Sequence, residues 1–135
     1  MPLASYVPVV TAGSMAYVSG QIALKEGAPA VTGAVGTDVT PDEAARAARQ
    51  SALQALAALR AELGSLDRVR RIVKVTVFVA SAPGFTEQPS VANGASDLLA
   101  EVFGERGRHA RAAVGVAELP LGAPVEVELI AEITT

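Results

Sequence analysis

The sequence predicts an α+β domain, a β-sheet with two helices packed on one face. Three observations lead there. Val69–Val79 alternates between two sets of side chains, the period of a half-buried strand. Thr40-Pro41-Asp42-Glu43 opens a long stretch with helical spacing, and a second such stretch follows Pro89. Gly104–Thr135 then holds two more alternating runs, separated by Leu-Pro-Leu-Gly-Ala-Pro, whose Pro and Gly are turn punctuation. Strands in runs with two helices among them fit a layer of helices on one side of a sheet.

With 135 residues, the chain is expected to form one domain, residues 1–135. A chain of this size buries roughly two-thirds of its unfolded surface, enough for a real core. Hydrophobic residues make up 50% but aromatics only 4%, so that core must be built from Ala, Val, Leu and Ile. A net charge of -3 argues against a nucleic-acid partner. The absence of cysteine excludes disulfides, thiolate metal sites and a thiol nucleophile. No basic segment followed by an apolar run opens the chain, and no apolar stretch is long enough to span a bilayer. A soluble, cytoplasmic protein with no membrane partner is expected.

In chain order, Tyr6–Val10 and Met15–Ser19 read as strands joined at Ala12-Gly13-Ser14. Gly20 follows directly. It either lets a ligand approach the backbone closely or marks a bulge in the sheet, and both readings stand. Lys25–Asp38, rich in Gly, Ala and Pro, reads as a loop or loose strand region without functional signal. The first helix has Thr40 as cap, Pro41 at its first position and Glu43 to complete a capping box. Ala44, Ala47, Ala48, Ser51, Ala52, Ala55, Leu56, Leu59 and Leu63 form its buried stripe, and Gly64 stops it. In the next strand Val69, Val73, Val75, Val77 and Val79 are expected on one face, with Ile72, Lys74, Thr76 and Phe78 on the other. Ala80–Gln88 is a turn-rich connection. A second helix starts at Pro89 or Ser90, buries Val91, Leu98, Leu99, Val102 and Phe103, and ends at Gly104.

The last third yields a pair of strands, Arg108–Ala117 and Val125–Thr134. Arg111 then shares a face with His109, Ala113 and Gly115, while Glu126, Glu128 and Glu132 oppose the apolar Val125, Val127, Leu129, Ala131 and Ile133. An arginine among small neighbours can present its planar fork unobstructed, and that fork grips a carboxylate through two parallel hydrogen bonds. The sheet face away from the helices is expected to mix Ile72, Phe78, Ala113 and Ile130 with Arg111, Lys74 and the glutamates. Such a face is too apolar for full exposure and too charged for a private core, so it should meet copies of itself.

Arg-Ala-Ala-Val-Gly-Val-Ala-Glu-Leu-Pro followed by Val-Glu-Val-Glu resembles the C-terminal signature of the YjgF/RidA family. The resemblance extends through Tyr6-Val7, Val18-Ser19-Gly20-Gln21-Ile22 and Val73–Val79, and so covers nearly the whole chain. It implies a chorismate mutase-like fold with a mixed sheet, assembled as a homotrimer with clefts between neighbouring sheets. It also implies roles. Arg111 matches the family's carboxylate-gripping arginine, and Glu126 matches an acidic residue that orients or protonates a water. Tyr6, Gly20 and Asn93 match cleft positions, and the backbone of Ala113 could serve the ligand. Ala112 and Ala113 stand where many members carry a hydroxyl residue and a cysteine. His109, the sole histidine, is an accessory candidate for proton transfer, or else a packing residue. Neither a metal cluster nor a glycine-rich phosphate loop is legible, and no cofactor is expected. The activity implied is hydrolysis of 2-imino or 2-enamino acids to 2-keto acids and ammonia. A non-catalytic keto-acid-binding or regulatory module is the alternative, and an endoribonuclease is disfavoured by the acidic balance and few aromatics.

Overall fold

The computed structural model describes residues 5–135. Its element order is β1 (Val9–Ala12), β2 (Met15–Ile22), β3 (Leu24–Lys25), β4 (Ala28–Pro29), α1 (Pro41–Leu63), β5 (Val69–Ala80), α2 (Gln88–Phe103), β6 (Ala110–Val116) and β7 (Val125–Ile133). Five strands form one sheet in the order β1-β2-β7-β5-β6, with β3 and β4 a small hairpin beside it. Only β5 and β6 run parallel, so the sheet is mixed. The two C-terminal strands are not partners: β5 lies between them, and the crossover from β5 to β6 runs through α2. That connection has the length and helix a parallel pair requires.

α1 begins as its sequence dictates. Thr40 Oγ1 accepts from the Glu43 amide at 3.1 Å, and Glu43 Oε1 accepts from the Thr40 amide at 3.0 Å. These bonds hold the Glu43 carboxyl below its ordinary value. Such a cap is worth about 1 kcal/mol. Gly64 ends the helix in the left-handed region, with φ 85°, and returns its amide to the Arg60 carbonyl at 2.8 Å. All nine residues expected on the buried stripe are buried. Because most are alanine, α1 lies close to the sheet and to α2. Gly94 marks that closeness, since a Cβ there would sit 2.8 Å from the Ala45 carbonyl carbon. Arg49 and Glu101 clamp the two helices by a two-pronged pair at 3.2 and 2.9 Å. Gln54 ties α1 to the sheet, accepting from the Leu24 amide and donating to the Ile22 carbonyl, both at 2.8 Å.

The helix-side face of the sheet supplies the rest of the core: Val69, Ile72, Val75, Val77 and Val79 from β5, and Val125, Val127, Leu129, Ala131 and Ile133 from β7. Each valine, leucine and isoleucine among them contributes roughly 1.5–3 kcal/mol on burial. Three sequence expectations are corrected here. Ile72 belongs to this core in place of the half-buried Val73, because the β5–β7 register shifts on both sides of it, between Val69 and Arg71 and between Ile72 and Lys74, and so puts Ile72 out of phase with the buried Val69 and Val75. Val102 is exposed, and Ala92 and Ala95 take the helix-facing positions of α2 instead. β1 occupies Val9–Ala12, so Tyr6 lies outside the strand and is exposed.

The other face bears no helix. Along its ladders stand Val10, Tyr17, Ile130 and Lys74, then Glu128, Thr76 and Ala112, then Glu126, Phe78 and Val114. Val10, Tyr17 and Val114 are exposed on it. Apolar and charged side chains are mixed there as expected, but with Ala112 and Val114 in place of Ala113.

Candidate functional site

Arg111 enters the structure on the helix side of the sheet. In the parallel β5–β6 pairing it stands beside Val75, whose side chain is in the core. At the sheet edge this direction leads along the flank of α2. There Nη1 donates to Asn93 Oδ1 at 2.8 Å and to Ser96 Oγ at 3.1 Å. Asn93 and Ser96 are three residues apart on α2 and therefore share one side of it. These bonds engage Nη1 alone, leaving the Nε and Nη2 edge of the fork for another acceptor. The ion pairs among the described residues are Arg49–Glu101 and Arg108–Glu105, so Arg111 is not neutralised by a glutamate of its own chain.

His109 sits behind this arrangement. Its Nε2 lies 2.9 Å from Ser96 Oγ and its Nδ1 2.6 Å from the Gly107 carbonyl oxygen. A carbonyl only accepts, so Nδ1 carries the proton. With the ring neutral, Nε2 accepts from the Ser96 hydroxyl, and Ser96 Oγ accepts from Arg111. The histidine thus braces the arginine through one serine. Ser96 has no place in the sequence reading, although its spacing from Asn93 on a helix was the available signal.

Glu126 is elsewhere. It pairs in register with Phe78 on the helix-free face, two strands away from β6. Two strand spacings are about 10 Å. The expectation that Arg111 and the glutamates share the face away from the helices is therefore corrected: within one chain Glu126 and Arg111 occupy opposite faces of the sheet. β7 runs antiparallel to both of its neighbours, β5 and β2, so Glu126 has a strand on either side. Opposite it, the β2–β7 register shifts between Val18 and Gln21, a bulge at Ser19-Gly20. The Glu126 carboxylate lies so close over Gly20 that a side chain there would collide with it. Both readings of this glycine hold together, a bulge and a close approach, the approaching group being Glu126. Burial pushes the Glu126 carboxyl above its ordinary value, and the nearby Glu128 charge adds to the rise.

The structure therefore brings the site residues together in two sets. Arg111, Asn93, Ser96 and His109 form one, with Ala113 two residues along β6. Gly20 and Glu126 form the other. Tyr6 lies on the side of this second set, since the adjoining Val7 carbonyl accepts from Ser19 Oγ at 2.7 Å and the Pro8 carbonyl from the Ser19 amide at 2.8 Å. Among the described residues there is no group of three or more His, Cys, Asp or Glu placed to hold a metal. No helix is long and apolar enough to cross a membrane.

The endoribonuclease L-PSP family model matches residues 1–133. The chain belongs to this family, the YjgF family. Protein TCP17 of Trypanosoma cruzi is 52% identical over 133 residues, covering 98% of this chain and 83% of that protein. Among solved structures of family relatives, the Agrobacterium tumefaciens protein Atu1372 is 51% identical and superimposes with a TM-score of 0.95, covering 100% of this chain and 87% of that one. The YjgF gene product of E. coli is 31% identical with a TM-score of 0.64, over 97% of this chain and 90% of its own. E. coli TdcF, solved with bound serine, is 27% identical with a TM-score of 0.64, over 98% of this chain and 91% of its own.

Proposed function

We propose that the protein is a homotrimeric, cytoplasmic hydrolase of 2-imino and 2-enamino acids, with Arg111 as the carboxylate grip. The observation that carries this reading is the state of the arginine: braced at Nη1 by Asn93 and Ser96, unpaired with any carboxylate among the described residues, and open along the rest of its fork. A carboxylate-bearing ligand is the natural complement to that edge. The serine bound to the relative TdcF carries such a carboxylate.

One chain offers the grip and the acid on opposite faces, so the complete site needs two copies. The Arg111 edge of one chain would meet the Gly20–Glu126 surface of its neighbour, and the helix-free faces, with Val10, Tyr17 and Phe78, would be covered by the assembly. Arg111 holds the carboxylate and so fixes the adjacent imine carbon. Glu126, whose proton affinity burial raises, takes a proton from water as the oxygen bonds to that carbon. It returns that proton to nitrogen and then carries the hydroxyl proton there too, so that the carbon–oxygen double bond forms as the carbon–nitrogen bond breaks, and 2-keto acid and ammonia leave. Ala112 and Ala113 contribute no side-chain donor, so the step rests on Glu126.

The experiment generates an imino acid with an amino-acid oxidase and follows keto-acid formation. Acceleration over buffer is expected, and none across several amino acids would refute the reading. A second reading, a keto-acid-binding module without turnover, draws on the alanines at 112 and 113. Saturable 2-ketobutyrate binding with no hydrolysis would select it.

A further inference from the structure

A basic groove lies apart from the Glu126 surface, where the start of β5, the turn after α2 and the entry to β6 meet. Arg70, Arg71, Glu105, Arg106, Arg108 and His109 line it, around a volume of about 590 Å³. Four guanidiniums against one carboxylate leave an excess of three positive charges, in a chain whose net charge is -3. Two of the four are held in place. Arg106 donates from Nη1 to the Val69 carbonyl at 2.6 Å, with its guanidinium carbon 5.5 Å from the Phe103 ring centre. Arg71 donates from Nη2 to the Arg108 carbonyl at 2.9 Å and from Nε to the Ile72 carbonyl at 3.4 Å. Carbonyl oxygens fix these side chains without cancelling their charge. The one acidic group, Glu105, stands 3.7 Å from Arg108, and both side chains are largely in solvent. Arg70 forms no ion pair among the described residues.

We propose that this groove is a second anion site, taking a small molecule that bears a diphosphate. A single carboxylate would satisfy one fork and leave most of the positive charge uncompensated. A phosphoryl group brings about 1.5–2 negative charges and three acceptor oxygens, so two of them match both the excess charge and the several converging donors. Anchoring of Arg71 and Arg106 lowers the ordering cost of binding. The inference does not depend on the reading of Arg111. His109, whose ring nitrogens are turned to Ser96 and Gly107, forms the wall between the two.

The test is calorimetric titration of the full chain with inorganic pyrophosphate. Saturable binding is expected, weakened by added salt. Arg70→Gln combined with Arg108→Gln should reduce affinity about ten- to hundredfold. These two side chains brace no buried carbonyl, so the fold should survive, and an unchanged melting temperature checks this. Arg111→Ala should leave pyrophosphate affinity unchanged. A nucleoside diphosphate that binds more tightly than pyrophosphate assigns the ligand to nucleotides, and equal affinity assigns recognition to the diphosphate alone. Failure to saturate near physiological salt, binding undiminished in the double variant, or binding lost in Arg111→Ala would each overturn the proposal. So would a single-stranded RNA that outbinds every small diphosphate through the same arginines.

Discussion

Glu126 lays its carboxylate across Gly20 of the neighbouring strand, so that a methyl group on that glycine would sit 2.8 Å from Glu126 Cδ. The contact exists because the bulge at Ser19-Gly20 takes this stretch of β2 out of the ladder just where β7 brings up its first glutamate. The obstructed atoms are the far end of a flexible side chain. Gly20→Ala should therefore cost little stability, about 1 kcal/mol or less, while turning the carboxylate aside. The expected outcome is a nearly unchanged melting temperature with imine hydrolysis reduced at least tenfold. Full activity in a stable Gly20→Ala protein would separate Glu126 placement from catalysis.

The same carboxylate predicts a pH dependence of stability. Burial raises its proton affinity in the folded state above that of the unfolded chain, where a glutamate titrates near about 4.3. Between those two values the folded state binds more protons, so stability falls as pH rises through that window and stays lower above it. Glu126→Gln removes the penalty. Its thermal stability should exceed wild type at neutral pH, and the two curves should converge below the unfolded value. Hydrolysis should be lost across the whole range. A wild-type advantage in stability at pH 7 would mean that Glu126 is stabilised by partners rather than strained by burial.

The parts of this fold that were legible in the sequence are those set by local chemistry. Thr40, Pro41, Glu43 and Gly64 bound α1 because capping acts within one turn, and its alanine stripe follows from a period that nothing interrupts. The Arg111–Asn93 contact was also within reach through the family signature. What escaped depends on pairing between distant segments. The register shifts on either side of Ile72 have no local marker, and they move Ile72 into the core. The parallel docking of β6 on β5 decides which face Arg111 occupies, and alternation alone supplies relative faces within one strand, never between strands. Ser96 was missed for a related reason. Only the tertiary placement of α2 beside β6 turns an ordinary helix serine into the link between His109 and Arg111.

Phe78 tests the assembly. It lies half-buried on the helix-free face, between Glu126 and Val114 in the ladder. If copies pack on this face, a charge there is left in an apolar interface at a cost of several kcal/mol. Phe78→Glu should then give monomer or aggregate by light scattering. Since it also faces Glu126, where like charges repel by less than about 1 kcal/mol, Phe78→Lys is the control. Lysine pairs favourably with Glu126 within one chain, so this variant should remain folded and still fail to assemble. A trimeric Phe78→Lys protein would place the contact between copies elsewhere.

Arg111 carries the heaviest consequence. Its Nη1 is committed to Asn93 and Ser96, so recognition must use the remaining edge of the guanidinium. Arg111→Lys keeps the charge but has one nitrogen, which cannot satisfy the two α2 acceptors and a carboxylate with the geometry of a fork. Loss of a charge-assisted contact costs roughly 1.5–3 kcal/mol, a ten- to hundredfold effect on binding, and more on turnover if orientation is lost too. Arg111→Ala should abolish activity while the sheet stays intact, because β6 is an edge strand and its backbone pairing to β5 does not involve this side chain. The measurement is 2-ketobutyrate affinity and imine hydrolysis beside melting temperature for both variants. If Arg111 instead only ties β6 to α2, melting temperature should fall in both variants before binding changes. An Arg111→Ala protein that keeps its assembly and full ligand affinity would remove the arginine from the site altogether.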